Sequence, residues 1–186
     1  MGGRRARARH PRHRGHRPAR PLGVPHPPPG VRLTGRLFVV VGLPGAGKTT
    51  RARSLAARWA AVRLCPDEWM VRLGVDLYDT DFRDRLEGRL TDLAAELLGL
   101  GGRVVVEFGS WARSERDALL ALGRASGAAV ELHVLDPPVE ELWRRLARRN
   151  LLPGEAVIDR PTLDSSLRSW EPPTPDELAA YDPPLP

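Results

Sequence analysis

The chain has 186 residues, of which 28% are charged, and its formal net charge is +6. Its single cysteine excludes an internal disulfide and is typical of a protein from a reducing compartment. The sequence contains no apolar run of about 18 residues, which excludes a membrane-spanning helix, and we expect a cytoplasmic protein without a membrane partner.

The excess of positive charge lies at the start of the chain. Residues 1–35 contain nine Arg, seven Pro, four of the five His and no acidic residue. Such a segment cannot bury enough apolar surface to fold, so we predict a disordered Arg/Pro-rich tail. His10, His13 and His16 could bind a metal, but solvated disorder is the better interpretation.

The rest of the chain is mildly acidic. Residues 37–186 hold 19 basic and 23 acidic side chains, a net charge of −4, which argues against a nucleic-acid-binding domain on charge alone. A length of about 150 residues suits one domain. We assign residues 36–170 to this domain and residues 171–186 to a Pro-rich C-terminal extension.

The first predicted elements enclose a glycine loop. The apolar run 37–41 is typical of a buried parallel strand, and residues 48–60, rich in Ala, Leu and Arg, predict a helix. Between them, residues 42–49 fit the P-loop or Walker A pattern G-x-x-x-x-G-K-[ST] at every fixed position. Strand, loop and helix therefore follow in the order that a phosphate-binding loop requires.

The loop carries the only lysine of the chain, Lys48, among 28 arginines. Glycines let successive backbone N–H groups point into one concavity, and the helix N-terminus adds partial positive charge there. A compact ammonium can sit between the β- and γ-phosphates of a nucleoside triphosphate, and the Thr49 hydroxyl suits Mg²⁺. The predicted nucleotide-binding residues are Gly42, Pro44, Gly45, Ala46, Gly47, Lys48, Thr49 and Thr50.

Strands and helices continue to alternate after the first helix. The pattern predicts strands at 62–65, 103–108 and 129–135, and helices at 67–73, 81–100, 113–125, 139–149 and 162–170. This alternation indicates a parallel sheet with right-handed crossovers. We predict an α/β fold of the P-loop NTPase type, a three-layer α/β/α sandwich with four to five parallel strands and a helical lid. Residues 171–186 supply no obvious fifth strand.

Two acidic residues lie at or just after the carboxyl ends of predicted strands. Asp67 comes two residues after the strand 62–65, and Glu107 lies in the strand that ends at 108. Because ligands bind beside the carboxyl ends of parallel strands, both should lie near the phosphates. Glu107 would hold a Mg²⁺-bound water or orient the group that attacks the phosphate. Together with Thr49 it forms the predicted metal site. The alternatives are that Asp67 caps the following helix and that Glu107 faces solvent.

Three classes of nucleotide-binding enzyme are excluded or disfavoured. A GTPase needs N-K-x-D to read guanine, and the only lysine already lies in the loop. A protein kinase uses a different glycine loop and an H-R-D segment, and neither is present. A large mechanochemical ATPase usually has an acidic pair after its second apolar strand, whereas the stretch 104–109 has a single acid.

The chain resembles the small ATP-binding kinase-like proteins, a group that includes polynucleotide 5′-kinase, chloramphenicol phosphotransferase, gluconate kinase and the zeta toxins. The resemblance covers residues 36–170. It lies in the loop 42–50, in 62–74 with an acid after the second strand, and in 136–150 with arginines at i, i+4 spacing. Residues 104–117 look closest to a bacterial subgroup known simply as ATP-binding proteins.

This resemblance implies an ATP- and Mg²⁺-dependent phosphotransferase, with Asp67 as the base for the acceptor hydroxyl. It also implies that Arg145 and Arg149 are lid arginines, which close on the triphosphate and spread its transition-state charge. Together with Lys48, these are the predicted catalytic residues. Because the same helix carries a second Arg pair, a solvated basic face is the alternative for the lid arginines.

Further residues near the predicted crevice have two interpretations each. Trp69 and Trp111 could stack on a ring of the acceptor or pack in the core. Arg113 and Arg116 could contact an anionic acceptor, or Arg116 could pair with acidic neighbours on the helix surface. Cys65 is expected to be a small core residue at a strand end.

We therefore expect a kinase that transfers the γ-phosphate of ATP to a hydroxyl of a small molecule, with ATP and this acceptor as its partners. Two alternatives stay open. A 5′-hydroxyl polynucleotide kinase would use the Arg-rich tail to tether nucleic acid, and its binding would depend on salt. A non-catalytic ATP-binding switch would report nucleotide through closure of its lid.

Overall fold

The computed structural model describes residues 35–152 and 157–186. Apart from Gly35, the tail that we predict to be disordered (residues 1–35) lies outside the described residues. Within the described ranges, no helix combines the length and the apolar character needed to cross a membrane.

The sheet consists of four parallel strands. In chain order they are β1 Arg36–Gly42, β2 Val62–Leu64, β3 Arg103–Gly109 and β4 Ala129–Leu135. Across the sheet the order is β2-β3-β1-β4, so that β1 lies between β3 and β4. The carboxyl ends of all four strands point to the same edge of the sheet, where the segments that follow them meet. The predicted α/β fold class is confirmed, with four strands.

The helices agree with the predicted ones to within two residues. The helix predicted at 162–170 begins earlier because the Asp159 carboxylate caps it, accepting a hydrogen bond from the backbone N of Thr162. A short additional helix near the C-terminus was not predicted. The helices are α1 Lys48–Trp59, α2 Pro66–Arg72, α3 Thr80–Gly99, α4 Arg113–Ala125, α5 Val139–Arg149, α6 Arg160–Ser169 and α7 Pro175–Leu178.

Helices cover both faces of the sheet. Side chains of a strand alternate between faces, and on one face Phe38 and Val40 of β1 pack against Ala52 and Leu55 of α1. Burial on both faces explains why the sequence of β1 is apolar without interruption. The cluster on the other face includes residues of β1, α3 and α4, namely Leu37, Val39, Val41, Leu90, Ala94, Leu98 and Leu119.

A third apolar cluster joins the glycine loop to α5 and α6. Leu43 and Ala46 of the loop pack with Leu142 and Leu146 of α5 and with Leu163 of α6. All five side chains are buried, and burial of one leucine contributes about 1.5–3 kcal/mol. Both helices are therefore anchored to the loop.

The C-terminal segment, residues 177–186, which we call the strap, covers the free edge of β4. No fifth strand occurs in the part of the chain that the structure describes. Instead, the backbone N of Asp182 donates to the Val130 carbonyl at 2.8 Å, and the backbone N of Val130 donates to the Asp182 carboxylate at 2.6 Å. Tyr181 packs on the α4 face of the sheet and Leu185 on the α1 face. The strap thus crosses an edge that would otherwise be exposed.

Arg116 is buried, and both predicted interpretations of this residue are wrong. Its side chain is 0% exposed, and its guanidinium donates to the two carboxylate oxygens of Glu177 at 2.6 and 3.0 Å. A further hydrogen bond runs to the carbonyl of Trp111 at 2.7 Å. The hydrogen bonds from Arg116 lower the pKa of Glu177. This ion pair fastens the strap to α4.

Removal of one partner of this buried pair is expected to destabilise the fold strongly. Arg116→Met and Glu177→Gln should each lower the free energy of unfolding by about 3–5 kcal/mol, because the remaining partner stays polar in a dry site. Chemical denaturation of the full chain measures the change. As a control, Arg89→Met removes an exposed pair with Asp92 and should cost less than about 1 kcal/mol.

The same pair predicts a pH dependence. Because Arg116 lowers the folded-state pKa of Glu177, the pair stabilises the fold fully above the unfolded-state pKa of a glutamate, about 4.3. This contribution is lost as the pH falls through the lowered folded-state pKa. The stability difference between wild type and Glu177→Gln should therefore shrink in acid. A difference that stays constant from about pH 7 to about pH 2 would contradict the assignment.

Candidate active site

The glycine loop between β1 and α1 bends so tightly that three of its residues, Gly42, Gly45 and Gly47, have positive φ angles that favour glycine, and two of these also lie against other elements. Gly42 has a φ of 149°, and a Cβ at this residue would lie 2.4 Å from the carbonyl oxygen of Leu135 in β4. Gly45 has a φ of 82°, and its Cβ would lie 3.0 Å from the carbonyl oxygen of Leu142. The loop therefore lies directly against β4 and α5, and the N-terminus of α1 follows it.

Lys48 folds back over the loop. Its Nζ donates to the carbonyl oxygens of the first two loop residues at 2.8 and 3.1 Å. Burial lowers the pKa of Lys48, the nearby carboxylates of Glu107 and Asp67 oppose this effect, and the guanidinium of Arg149 adds to it. The structure thus places within electrostatic reach of Lys48 three residues that were predicted from separate stretches of sequence.

Thr49 and Glu107, the predicted metal residues, are in contact. Thr49 Oγ1 donates to Glu107 Oε1 at 2.5 Å, and Glu107 is 8% exposed. The interpretation of Glu107 as a solvent-facing acid is therefore wrong. A hydroxyl and one carboxylate are hard oxygen donors of the kind that Mg²⁺ takes beside substrate phosphates, so these residues fit that ion. Among residues 35–152 and 157–186, no cluster of three or more His, Cys, Asp or Glu side chains is arranged to hold a metal ion.

Arg63 of β2 lies on the other side of Glu107. Its Nε donates to Glu107 Oε2 at 2.9 Å, and its terminal nitrogens donate to Glu68 at 2.9 and 3.0 Å. Arg53 of α1 also bonds Glu68, at 2.7 Å. Hydrogen bonds from Arg63, and then from Arg53, lower the pKa of Glu68 to about 2. Arg63 was not predicted as a site residue; the only signal in the sequence is a charged residue within a short strand.

Asp67 lies in the first turn of α2, and its side chain is 62% exposed. The N-cap of α2 is Cys65, so the interpretation of Asp67 as the helix cap is wrong. Cys65 itself is buried, as expected. The Asp67 carboxylate accepts a hydrogen bond from Arg83 of α3 at 2.6 Å. The charge of Asp67 also raises the pKa of Lys48.

Arg83, which was not predicted, connects Asp67 to a groove. Its Nη1 lies 3.4 Å from Glu87 Oε1, one turn further along α3. Burial raises the pKa of Glu87. In the sequence this i, i+4 pair is indistinguishable from an ordinary surface pair. The groove has a volume of about 190 Å³, and its lining includes Glu87, Gly88, Thr91, Phe108, Ser110 and Glu115.

Helix α5 presents the predicted pair of arginines to the loop. Arg145 Nη1 donates to the carbonyl of Ala46 at 3.2 Å, and its Nε donates to Glu141 at 2.6 Å. Arg149, one turn later, is partly buried and acts on the pKa of Lys48. Arg144, Arg145 and Arg148 are all exposed, and it is the hydrogen bond to Ala46 that distinguishes Arg145. The helix register therefore turns Arg145 and Arg149 toward the loop, and their catalytic role stays a prediction.

The two tryptophans lie in different environments. Trp111 Nε1 donates to the carbonyl of Gly42 at 3.2 Å, so the partly buried ring braces the loop from the β3 side. Trp69 is 42% exposed on α2, so core packing is wrong for this residue. Arg113 is also exposed, where it pairs with Asp117 on α4.

Comparison with known proteins places this geometry in a family. A family model described as an AAA domain matches residues 37–173. No curated protein sequence matches the chain. Among solved structures, an unliganded sugar kinase from Janibacter sp. HTCC2649 is 25% identical, with a TM-score of 0.57 over 77% of this chain and 82% of the kinase. A gluconokinase from Sinorhizobium meliloti 1021 is 23% identical, with a TM-score of 0.51 over 78% of this chain and 80% of that enzyme.

A chain of the Pnkp1/Rnl/Hen1 RNA repair complex has the same fold. It is 21% identical, with a TM-score of 0.66 over 76% of this chain, and the present protein spans only 45% of its length. These likenesses confirm the resemblance to small P-loop kinase-like proteins and the fold that it implies. Because the family model matches most of the sequence, the chain belongs to this AAA-domain family, and its folded part is a P-loop kinase-like α/β domain.

Proposed function

We propose that the protein is a Mg²⁺- and ATP-dependent kinase that transfers the γ-phosphoryl group of ATP to a hydroxyl of a small molecule. The observation that carries the proposal is the convergence on one glycine loop of a lysine, a hydroxyl–carboxylate pair and two arginines. Phosphoryl transfer needs positioning, charge neutralisation and an acceptor for the hydroxyl proton. The side chains that would provide the first two are Lys48, Thr49, Glu107, Arg145 and Arg149.

The loop and Lys48 would hold the triphosphate. The backbone N–H groups at the start of α1 suit phosphate oxygens, and the Lys48 ammonium would exchange its two carbonyl partners for oxygens of the β- and γ-phosphates. Mg²⁺, when bound, neutralises charge on these phosphates, and Thr49 and Glu107 are the residues that would hold it. We propose ATP rather than GTP because the chain lacks the guanine-reading motif N-K-x-D.

Asp67 is the proposed base. The acceptor oxygen would form a bond to the γ-phosphorus while the bond from the γ-phosphorus to the bridging oxygen breaks, the hydroxyl proton would pass to the Asp67 carboxylate, and ADP would leave. Arg83 would orient the Asp67 carboxylate through their hydrogen bond of 2.6 Å. Because the Asp67 side chain is exposed, the acceptor could reach it. Arg145 and Arg149 would place positive charge beside the transferring group.

The groove next to Arg83 supports a small and non-anionic acceptor. Its volume of about 190 Å³ is below the roughly 300–1,000 Å³ of pockets that hold drug-sized ligands. Two carboxylates, those of Glu87 and Glu115, belong to its lining and would repel a phosphate-bearing acceptor. The acidic net charge of residues 37–186 disfavours an oligonucleotide for the same reason.

The test is an acceptor screen with the full chain, Mg²⁺ and γ-labelled ATP. Separate pools contain sugars, nucleosides, aminoglycosides, amphenicols and 5′-hydroxyl oligonucleotides. A labelled product from a small-molecule pool supports the proposal and names the acceptor class. Transfer only to oligonucleotides would favour a polynucleotide kinase, and ATP binding without transfer to any pool would favour a nucleotide-binding switch.

Lys48→Met should abolish ATP turnover and leave the fold intact, because methionine keeps the apolar stem and removes only the charge. We expect kcat/KM to fall by at least about 100-fold, the loss typical of one transition-state charge contact. Steady-state kinetics and circular dichroism measure the two effects. Arg53→Met, which removes an exposed cation one turn further along α1, serves as the matched control. Retained ATP turnover in Lys48→Met would contradict the catalytic role of Lys48.

Asp67→Asn should remove phosphoryl transfer and leave ATP binding nearly unchanged. Loss of a general base is expected to lower kcat by about 100–10,000-fold, while the nucleotide contacts remain in place. Single-turnover transfer and equilibrium ATP binding provide the measurements, with Asp81→Asn, an exposed carboxylate of α3, as the control. If ATP affinity collapses in Asp67→Asn, this residue is instead a metal ligand or a structural residue.

A further inference from the structure

Arg63 is a charged residue of the site that the proposed reaction does not use. It is the middle residue of the short strand β2, yet its side chain is only 12% exposed. Its Nε and Nη2 lie 2.9 and 2.8 Å from Glu107 Oε2, and its Nη1 and Nη2 lie 2.9 and 3.0 Å from the two carboxylate oxygens of Glu68. One guanidinium therefore joins β2 to β3 and α2.

The two carboxylate oxygens of Glu107 have different partners. Oε2 accepts from Arg63, and Oε1 accepts from Thr49 at 2.5 Å. A free glutamate side chain could rotate and present either oxygen, or both, to a cation. Since the planar fork of Arg63 holds Oε2, only Oε1 faces the side on which the Thr49 hydroxyl lies.

Arg63 is itself fixed in place. Its anchor Glu68 lies in the first turn of α2 and also accepts a hydrogen bond from Arg53 of α1, at 2.7 Å. The two arginines and two glutamates balance one another in formal charge, which limits the cost of partly burying them. The network spans α1, β2, α2 and β3, so it can hold Glu107 rigidly relative to the loop.

We propose that Arg63 is a positioning residue, which fixes Glu107 so that a single carboxylate oxygen, Oε1, is offered to Mg²⁺ beside Thr49. This inference rests on the proposed assignment of the ion to Thr49 and Glu107. Arg63 touches neither nucleotide nor acceptor in this arrangement; it acts through Glu107 alone. Residues behind a metal ligand commonly have this role, and their loss typically costs about 10–100-fold in metal affinity.

The test separates nucleotide binding with and without the metal ion. The full-length wild type and the variants Arg63→Met and Arg63→Lys are titrated with a fluorescent non-hydrolysable ATP analogue, once in Mg²⁺ and once in EDTA. Both variants should lose about 10–100-fold of the affinity measured in Mg²⁺ and keep the affinity measured in EDTA. Arg63→Lys retains the charge but lacks the planar fork. A loss of affinity in Mg²⁺ for this variant would therefore show that the orientation of Glu107 matters.

Arg53→Met is the matched control, because it removes the other cation from Glu68 without touching Glu107. Because Arg53 reaches Glu107 only through Glu68 and Arg63, this variant should lower the affinity in Mg²⁺ much less than Arg63→Met does and leave the affinity in EDTA unchanged. Thermal unfolding without ligand shows whether each variant folds. If Arg63→Met does not fold, Arg63→Lys and Glu68→Gln decide the question, since Glu68→Gln loosens the anchor of Arg63 and leaves Glu107 intact. Glu68→Gln should then weaken binding in Mg²⁺ only.

Equal Mg²⁺ dependence in wild type and in the folded Arg63 variants would overturn the proposal, because a merely structural ion pair changes stability and not metal binding. An equal loss in Arg53→Met would overturn it too, since the effect would then follow total charge. If the wild type shows no Mg²⁺ dependence, the metal assignment itself fails. If Mg²⁺ dependence is lost as expected but no acceptor is phosphorylated, the kinase proposal fails and the role of Arg63 stands.

Discussion

The site depends on how closely the backbone of Gly42 approaches that of Leu135. Any side chain at Gly42 would collide with the Leu135 carbonyl, so only glycine lets the end of β1 lie against the end of β4 and turn there. The turn then directs Leu43 and Ala46 onto α5. Because that contact fixes α5, it also places Arg145 over the loop. One backbone constraint thus sets both the phosphate-binding turn and the position of the lid.

Each of the two carboxylates to which we assign a role in the proposed reaction is paired with an arginine. Glu107 has Arg63, and Asp67 has Arg83. Arginine is always charged, and its planar fork holds a carboxylate in one orientation, whereas the lysine ammonium is a point charge that exchanges partners readily. A chain with 28 arginines therefore has a physical reason to place its only lysine, Lys48, in the loop. The arginines keep groups in place, and the lysine is the cation suited to release loop carbonyls for phosphates.

Features with a local cause were predictable from the sequence. An uninterrupted apolar run predicted β1, the alternation of apolar strands with helical segments predicted the other three strands, and the glycine pattern predicted the loop. Asp67 and Glu107 followed because parallel strands end at one edge of a sheet. Arg63 and Arg83 were missed because their carboxylate partners lie 44 and 16 residues away, and a paired arginine looks the same in a sequence as a solvated one. Arg116 was misinterpreted for the same reason, since its partner is 61 residues away on the strap.

The strap makes the two ends of the folded domain share one buried carboxylate. Glu131 of β4 is 1% exposed; it accepts hydrogen bonds from Arg36 at the start of β1 and, at 3.2 Å, from the backbone N of Leu185, and it contacts His133 at 3.1 Å. Terminal residues usually fray before the rest of a protein opens. Here, detachment of the last residues would strand Glu131 without a backbone donor and uncover Val130 at the sheet edge. Amide exchange at Asp182 and Leu185, whose backbone N–H groups are bonded to β4, should consequently be slower than in a frayed terminal segment.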